Sequence, residues 1–190
     1  MPKKKQYPVQ SFKRNNRPGI DPYAMEDAPK GILECPECHA MYFRKRWSLS
    51  RWSSQKKASQ KIKDTTKSGK APLIPQPYLC PACRKIKDGY AEGFVSLHWP
   101  HWLAHKANVL NLIHNEERQA CHLNPLERIM GIRTRSDGAD IETTTEHMAQ
   151  RLGRHLVRAF KGEVQYKWSK QDKLARVYWN GPKEKTKRTK

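Results

Sequence analysis

Two Cys-Pro-x-Cys segments constrain the fold of this chain more than any other feature. A tight turn of this kind directs two thiolates at one ion, and two such turns supply the four sulfur ligands of a tetrahedral zinc site. Thiolates are soft ligands, so they favour zinc or iron over hard cations. The sequence therefore predicts a four-cysteine zinc ribbon in which one Zn²⁺ ion is bound by Cys35, Cys38, Cys80 and Cys83.

The predicted metal is structural, because four thiolates fill the coordination sphere and leave no position for water or substrate. A thioredoxin-like dithiol is the alternative, but the chain has two equivalent pairs and no βαβ pattern around either of them. A knuckle of this kind often has Gly after its second cysteine because the turn favours positive φ there, and His39 and Arg84 at these positions depart from that pattern. The fifth cysteine, Cys121, is predicted to be a free thiol in a loop.

The net charge of +20 is distributed unevenly over the 190 residues. Residues 41–72 hold ten Lys and Arg residues against a single Asp. A charge of this size does not help folding, but it attracts polyanions over a long range. We expect a basic extended arm at residues 1–30, a basic loop at 44–72 inserted between the cysteine pairs, and a basic tail at 181–190, with both termini disordered.

The basic loop combines its cations with two indoles, Trp47 and Trp52. Each cation can neutralise a phosphate, and an indole stacks on an unpaired base for ~1–3 kcal/mol with little sequence preference. A solvated, disordered insertion is the alternative for this segment. Arginines beside the second cysteine pair and on the outer face of a later helix are further candidates. The predicted nucleic-acid-binding residues are Arg44, Lys45, Arg46, Trp47, Arg51, Trp52, Lys56, Lys57, Lys61, Lys63, Arg84, Arg151, Arg154 and Arg158.

The remainder of the chain predicts an α+β fold in which residues 31–98 form the ribbon and residues 99–180 a helix followed by a ββαββ unit. The first helix is expected to run from near Pro100 to about Arg118, and a short strand should precede it at Gly93–Leu97. Its helical spacing of apolar residues is carried by Leu103, Ala107, Leu110 and Ile113.

The ββαββ unit is predicted from segments of alternating apolar and polar residues on either side of one amphipathic helix. Asp137-Gly138 is a strong hairpin signal, Thr143 with Glu146 fits a helix capping box, and Gly162 is a natural helix stop. The order predicts a small antiparallel sheet covered by one helix. Its strands are expected at Glu127–Thr134, Ala139–Thr143, Glu163–Trp168 and Leu174–Trp179, and its helix is expected to bury Met148, Leu152, Leu156 and Phe160.

A group of histidines and tryptophans lies around the start of the first helix. His101 and His105 have the i, i+4 spacing of a metal pair, but no carboxylate neighbours them at ligand spacing, so packing or RNA stacking is the preferred interpretation. The chain shows no phosphate-cradling glycine loop, nucleophile motif or metalloprotease pattern. These features favour a binding protein without a small-molecule substrate over an enzyme. The group consists of His98, Trp99, His101, Trp102 and His105.

The location is expected to be the cytoplasm. No run of about 18 apolar residues is present to cross a membrane, and the lysines of the N-terminus lack the apolar stretch of a secretory signal. In a reducing compartment, paired cysteines bind metal more often than they form disulfides.

Several blocks of sequence resemble a known family: CPECHAMYFRKRW, LCPACRKIKDGYAEGFVSL, NLIHNEER with NPLERIMGI, and DGADIETTTEHMAQRLGRHLVRAFKGEVQYKW with LARVYW. In this order they are similar to small, uncharacterised bacterial zinc-ribbon proteins. Those in turn resemble the archaeal and eukaryotic adaptor for nuclear export of the large ribosomal subunit, the nonsense-mediated decay 3 family. The resemblance covers roughly residues 30–180. It implies association with ribosomal RNA, and a role in large-subunit assembly, quality control or dormancy.

Two other classes of function stay open on the sequence alone. A DNA-binding nucleoid-associated or transcriptional regulator would also use basic arms, although the two predicted helices are separated by a β-hairpin and form no helix-turn-helix. An RNA-processing enzyme would need a reactive group that the sequence does not show. The sequence favours a ribosome-associated RNA-binding protein whose partners are ribosomal RNA and the ribosome.

Overall fold

The computed structural model describes residues 22–25, 31–49, 75–169 and 174–182. Over these residues the chain forms three helices and two mixed sheets, so the predicted α+β class is confirmed. The predicted disordered termini and most of the basic loop lie outside the described residues.

The first sheet brings the two cysteine pairs together. Its strand order is β3-β2-β1-β4, with β1 and β4 parallel and the other neighbours antiparallel. Because Cys35 directly follows β1 and Cys80 follows β4, pairing of these two strands places both cysteine pairs at the same end of the sheet. The strands are β1 (Leu33–Glu34), β2 (Ala40–Phe43), β3 (Arg46–Leu49) and β4 (Gln76–Pro77).

Part of the predicted arm and part of the predicted loop belong to this folded unit. In the segment expected to be an arm, Tyr23 packs with its ring centroid 5.0 Å from that of Tyr90, and Met25 packs against the cluster of buried residues around the cysteines. The predicted loop begins with a β-turn and strand β3 rather than with irregular chain. The alternation that marks β3 is only four residues long, so the surrounding Lys- and Ser-rich composition hides it.

The second sheet has the order β6-β7-β5-β9-β8. The central pair, β5 and β9, is parallel and the other neighbours are antiparallel, so the expectation of a purely antiparallel sheet is wrong. The sequence groups β5 with the ribbon, but its hydrogen bonds to β7 and β9 make it the middle strand here. The strands are β5 (Gly93–His98), β6 (Ile129–Arg135), β7 (Gly138–Thr143), β8 (Glu163–Trp168) and β9 (Ala175–Asn180).

A short helix, α1 (Pro81–Asp88), links the two sheets. Pro81 occupies its first turn, where the missing N–H is not needed, and Gly89 ends it in the left-handed conformation at φ 64°. Lys85 of this helix is buried and forms an ion pair of 2.7 Å with Glu92, just before β5. The second cysteine pair is thus held by a helix that is anchored to the second sheet.

The long helix α2 (Trp102–Leu123) extends past the end predicted at about Arg118, and Asn124 is its C-terminal cap. The predicted apolar face was only partly right, because Ile113 is buried but Leu103 is 75% exposed. The buried face instead begins with Trp102 at the start of the helix, which is fully buried. This face consists of Trp102, Val109, Ile113, Glu116 and Ala120.

Helix α3 (Glu146–Phe160) covers one face of the second sheet, and the predicted burial of Met148, Leu152 and Leu156 is confirmed. Its N-cap is Thr145, whose hydroxyl accepts a hydrogen bond from the Met148 amide. The capping box predicted at Thr143 is therefore wrong by two residues. Thr143 instead donates its hydroxyl proton to the Thr145 carbonyl at 2.9 Å.

In the group of histidines and tryptophans around the start of α2, Trp99, Trp102 and His105 serve packing, whereas His98 and His101 are exposed. Trp99 and Trp102 are buried in the main core with Trp179. The Trp99 ring stacks on His105 with 4.2 Å between the ring centroids. None of the helices in the described part of the chain is both long enough and apolar enough to cross a lipid bilayer.

Candidate metal centre

The sulfur atoms of the two cysteine pairs form one cluster. All four lie within 4.8 Å of one another, and the Sγ atoms of Cys38 and Cys80 are 3.6 Å apart. Four sulfurs bound to one zinc ion at ~2.3 Å lie about 3.8 Å apart in a regular tetrahedron. Cys35, Cys80 and Cys83 are buried and Cys38 is partly exposed, so the cluster has the spacing and the enclosure of a structural metal site.

The first pair is positioned by a turn between β1 and β2. The Cys35 amide donates to the carbonyl of Ala40, and the His39 amide donates to the carbonyl of Cys35, each at 2.9 Å. His39 adopts φ 57°, which confirms the positive φ expected after the second cysteine of a knuckle. The side chain of His39 points away from the sulfurs and contacts Glu34 at 3.3 Å, so it is not a ligand.

The second pair is held differently, because it starts a helix instead of repeating the first turn. Cys80 is the N-cap of α1, and its sulfur accepts a hydrogen bond of 3.4 Å from the Cys83 amide. The expectation of positive φ at Arg84 is therefore wrong, since this residue lies inside α1. The proline between the cysteines favours the first turn of a helix, and helical spacing brings the two sulfurs to one side of the helix start.

Backbone amides at the cluster stabilise negative sulfur. Besides the bond within the second pair, the Cys80 amide donates to the sulfur of Cys35 at 3.4 Å. Hydrogen bonds to an ionised acceptor are stronger than those to a neutral one. The backbone is thus arranged to receive thiolates, which are the form of cysteine that binds metal.

The thiols of Cys38, Cys80 and Cys83 differ in the direction of their pKa shifts. A hydrogen bond from the Cys80 thiol lowers the pKa of Cys38 to about 4, whereas burial raises the pKa of Cys83 to about 12. The same Cys38–Cys80 hydrogen bond, together with burial, raises the pKa of Cys80. Negatively charged sulfurs at this spacing repel one another. A divalent cation offsets that repulsion and deprotonates the thiols that coordinate it. The donor set therefore fits a soft divalent ion such as Zn²⁺.

One cation that the sequence did not reveal lies beside the cluster. The Arg128 guanidinium is 3.8 Å from the sulfur of Cys83, and its Nε donates to the carbonyl of Pro125 at 2.8 Å. Burial opposes its charge, but the negative sulfurs, Cys38 first among them, raise the pKa of Arg128. Four thiolates around a divalent ion carry a net charge of −2, so a fixed arginine offsets part of that charge. Arg128 is 45 residues beyond Cys83 in the chain, and no motif signals it.

This cluster is the one group of three or more ligand-type side chains that converge within the described residues. His101 and His105 are not part of any such group. No family model matches this chain, and no curated protein matches it.

The basic residues next to the first cysteine pair are exposed. Arg44 and Lys45 form the turn of the β2–β3 hairpin, at φ 50° and φ 62°, and Arg46 follows at the start of β3. All three side chains point to solvent. The turn therefore presents three adjacent positive charges at the tip of a hairpin that begins at the metal cluster.

Trp47 is not available to a base, which corrects its place among the predicted nucleic-acid-binding residues. It is only 5% exposed, its indole nitrogen donates to the sulfur of Met25 at 2.9 Å, and its ring packs at 5.3 Å from Tyr42. Because it lies directly after three cations, the sequence placed it in a basic loop. In the structure it is a core residue of the first sheet.

The arginines of α3 divide into two kinds. Arg154 and Arg158 are exposed, as expected for phosphate contacts. Arg151 instead donates its Nε to the carboxylate of Glu116 at 2.9 Å, and that carboxylate is almost fully buried. Arg151 is therefore engaged within the protein and is corrected to a packing residue between α2 and α3.

Arg84 is partly exposed beside the metal cluster, where its guanidinium donates to the Tyr78 hydroxyl at 3.2 Å.

Cys121 lies in the last turn of α2 rather than in a loop, and its thiol donates to the carbonyl of Glu127 at 3.1 Å. Burial raises the pKa of Cys121, which keeps this thiol protonated. The remaining predicted nucleic-acid-binding residues lie outside the described residues, and they are Arg51, Trp52, Lys56, Lys57, Lys61 and Lys63.

Proposed function

We propose that this protein is a zinc-dependent RNA-binding protein of the cytoplasm that associates with ribosomal RNA in the large subunit. In this proposal zinc is structural, the basic segment between the cysteine pairs contacts phosphates, and the chain binds without catalysing a reaction. A role in assembly, quality control or dormancy of the large subunit follows from the resemblance to zinc-ribbon relatives of the export adaptor.

One observation carries the proposal, namely the 3.6 Å approach of the sulfurs of Cys38 and Cys80. These two residues flank a 41-residue segment that includes ten Lys and Arg residues and one Asp. A bound metal ion would therefore hold both ends of the most basic part of the chain at one point. A long loop closed in this way loses little additional entropy, and its charges stay concentrated near a rigid root.

The charges of the described residues support a polyanionic partner. Arg44, Lys45 and Arg46 are exposed at the hairpin tip, and Arg154 and Arg158 are exposed on α3. Each cation that neutralises a phosphate releases a condensed counterion, so binding should weaken steeply as salt is added. RNA is favoured over duplex DNA because α2 and α3 are separated by the β6–β7 hairpin, which is not the arrangement of a helix-turn-helix.

Sedimentation of the zinc-loaded protein with purified ribosomes through sucrose tests the proposal. We expect it to travel with the large subunit at about 50 mM monovalent salt and to stay at the top of the gradient at high salt, because the affinity falls roughly as a power of the salt concentration set by the number of phosphates contacted. The same protein should bind a structured ribosomal RNA fragment more tightly than duplex DNA of equal length. A protein that remains at the top at low salt, or that prefers the DNA, would overturn the proposal.

A matched variant separates the basic segment from the rest of the protein. Replacing Lys56, Lys57, Lys61 and Lys63 with Gln removes four charges without touching a cysteine. Binding should weaken and its salt dependence should become shallower by several phosphates, while zinc content stays at one ion per chain. Unchanged binding would show that phosphates are contacted elsewhere.

A further inference from the structure

The second sheet has one face that none of the described helices covers. Helix α3 lies on the opposite face, so close that a Cβ added at Gly153 would come within 2.7 Å of Val177. On the uncovered side the residues of β5, β8 and β9 are half-buried or exposed. We call this side the open sheet face, and its members on these three strands include Phe94, Ser96, His98, Gln165, Lys167, Arg176 and Tyr178.

The strand register places two aromatic rings at the centre of the open sheet face. Phe94 lies opposite Arg176 and Ser96 lies opposite Tyr178 across the parallel β5–β9 pair. Directly paired residues share a face, so Phe94 and Tyr178 are diagonal neighbours. Adjacent strands lie about 4.8 Å apart and residues two apart along a strand about 6.6 Å, so diagonal neighbours on one face are separated by about 8 Å. This separation suits two consecutive bases of an extended strand that have unstacked from each other.

Two cations adjoin these rings. The Lys167 Nζ is 5.3 Å from the centroid of the Tyr178 ring, and the Arg176 guanidinium carbon is 6.0 Å from the centroid of Phe94. Neither cation forms an ion pair with any residue in the described part of the chain. Both can therefore turn from the ring to a phosphate while the ring face receives a base.

The unpaired cations of the open sheet face lie on the half that carries the rings, a half that also includes the exposed Glu163 of β8. On the other half, Arg133 pairs with Glu142, and Arg135 pairs with Asp140 at 2.8 Å. Those arginines are neutralised within the protein. The unpaired positive charge thus lies on β8 and β9, beside the rings of β5 and β9.

From this juxtaposition we infer that the open sheet face binds an unpaired strand of RNA, with bases stacked on Phe94 and Tyr178 and phosphates bound by Arg176 and Lys167. In a duplex the bases stack on one another, so their faces cannot contact the aromatic rings. An unpaired strand offers base faces to the rings and phosphates to the cations. A sheet that presents aromatic rings on its central strands is one established way for a protein to stack bases of single-stranded RNA. The inference rests on the proposed function, because it names where unpaired RNA is bound.

The test uses the full zinc-loaded chain and a fluorescently labelled single-stranded RNA 12-mer without self-complementarity. Phe94→Leu and Tyr178→Leu keep apolar bulk in the sheet but remove the ring faces. Each should weaken binding roughly fivefold to a hundredfold, the range found when a base loses its aromatic partner. Arg176→Gln should weaken binding and reduce the slope of affinity against salt by about one phosphate.

Two matched controls lie in the same sheet. Trp168 is 57% exposed but belongs to the helix side of β8, where its ring stacks on Tyr166, so Trp168→Leu should leave binding within about twofold of wild type. Arg133 is on the open sheet face but is paired with Glu142, so Arg133→Gln should also have little effect. A thermal melt of each variant shows whether a loss of binding reflects unfolding.

Crosslinking provides a readout that does not depend on the variants. RNA containing 4-thiouridine is irradiated with the wild-type protein, and the crosslinked peptides are identified by mass spectrometry. Crosslinks in β5 or β9 support the inference. Crosslinks confined to residues 44–72, or full binding by folded Phe94→Leu and Tyr178→Leu variants, overturn it while the proposed function stands. Failure of the wild-type protein to bind any RNA overturns both. Self-association that disappears in the ring variants would mean that the face binds a second copy of the chain instead.

Discussion

At the scale of single residues, the four clustered cysteines form the candidate metal site. Replacing Cys83 with Ser leaves three thiolates and a hydroxyl that binds zinc poorly. In small zinc domains the apparent binding free energy, about 10–16 kcal/mol, contributes directly to folding. We expect Cys83→Ser to bind less than one zinc per chain and to lose ordered structure in residues 31–49, as measured by metal content and by NMR of the labelled protein.

Cys121 is the matched control for this change. Its thiol is part-buried in α2 and is not one of the four clustered sulfurs, and it donates a hydrogen bond to the carbonyl of Glu127. Cys121→Ser should therefore retain one zinc per chain and melt within a few degrees of wild type. Equal zinc contents in the Cys83→Ser and wild-type proteins would contradict the metal site.

Arg128 should increase the affinity of the site for metal without binding the ion itself. Its guanidinium faces the sulfur of Cys83 at 3.8 Å, and loss of such an outer partner typically lowers metal affinity by about 10–100-fold. We expect Arg128→Met to lose zinc to a competing chelator at a correspondingly lower chelator concentration. Arg133→Gln, which removes a charge far from the sulfurs, should behave as wild type in the same titration.

At the scale of elements, helix α3 offers a direct comparison between two nearby arginines. Arg151 and His155 both contact the carboxylate of Glu116, at 2.9 and 2.8 Å. Arg151→Ala leaves that buried carboxylate with one partner fewer, a loss on the order of 1–3 kcal/mol. Arg154→Ala removes an exposed side chain and should change the free energy of unfolding by less than about 0.5 kcal/mol.

The two α3 variants should also differ in RNA binding, and here Arg154→Ala should have the larger effect. Arg154→Ala should weaken binding because its charge is exposed and can contact a phosphate, whereas folded Arg151→Ala should bind nearly as wild type. Urea denaturation and a binding titration on the same preparations measure both quantities. Destabilisation by Arg154→Ala alone would mean that the roles of the two residues are reversed.

The β2–β3 hairpin shows the same division within one element. Trp47→Ala removes a buried ring and should lower the stability of the zinc-loaded protein by about 3–5 kcal/mol. Replacing Arg44, Lys45 and Arg46 together with Gln should leave the melting temperature nearly unchanged and weaken RNA binding. A thermal melt and an affinity measurement at two salt concentrations test both statements. A large loss of stability in the triple variant would show that the turn is part of the core.

At the scale of the whole molecule, the two sheets should respond differently to loss of metal. The main core, between the second sheet and helices α2 and α3, contains no cysteine among its buried residues. The cluster around the first sheet contains Cys35, Cys80 and Cys83. After chelation we therefore expect fast amide exchange in β1, β2 and α1, while β5, β7 and β9 remain protected. Hydrogen exchange with mass spectrometry measures this, and collapse of protection in both sheets would show that they fold as one unit.

Local patterns determined the features of this protein that depend on neighbours in the chain. The Cys-Pro-x-Cys spacing identified the four converging sulfurs, the Asp137-Gly138 pair identified the β6–β7 turn, and the 3.6-residue period identified the buried face of α3. Each of these is set by the geometry of a turn or a helix over a few residues. Such geometry can be derived from residue types and spacing alone.

The tertiary structure decided which surfaces cover one another. The periodicity of a segment shows which of its faces is apolar, but it does not show which elements pack or pair with it. For this reason the sequence could not assign β5 to the middle of the second sheet. Trp47 was placed in a basic loop because it follows three cations, and Arg151 was placed on the outer face of α3 by its helical spacing, but Trp47 contacts Met25 and Arg151 pairs with Glu116. These partners lie 22 and 35 residues away. Contacts at that distance depend on how the elements pack in space, and that packing is set by the balance of burial over the whole chain.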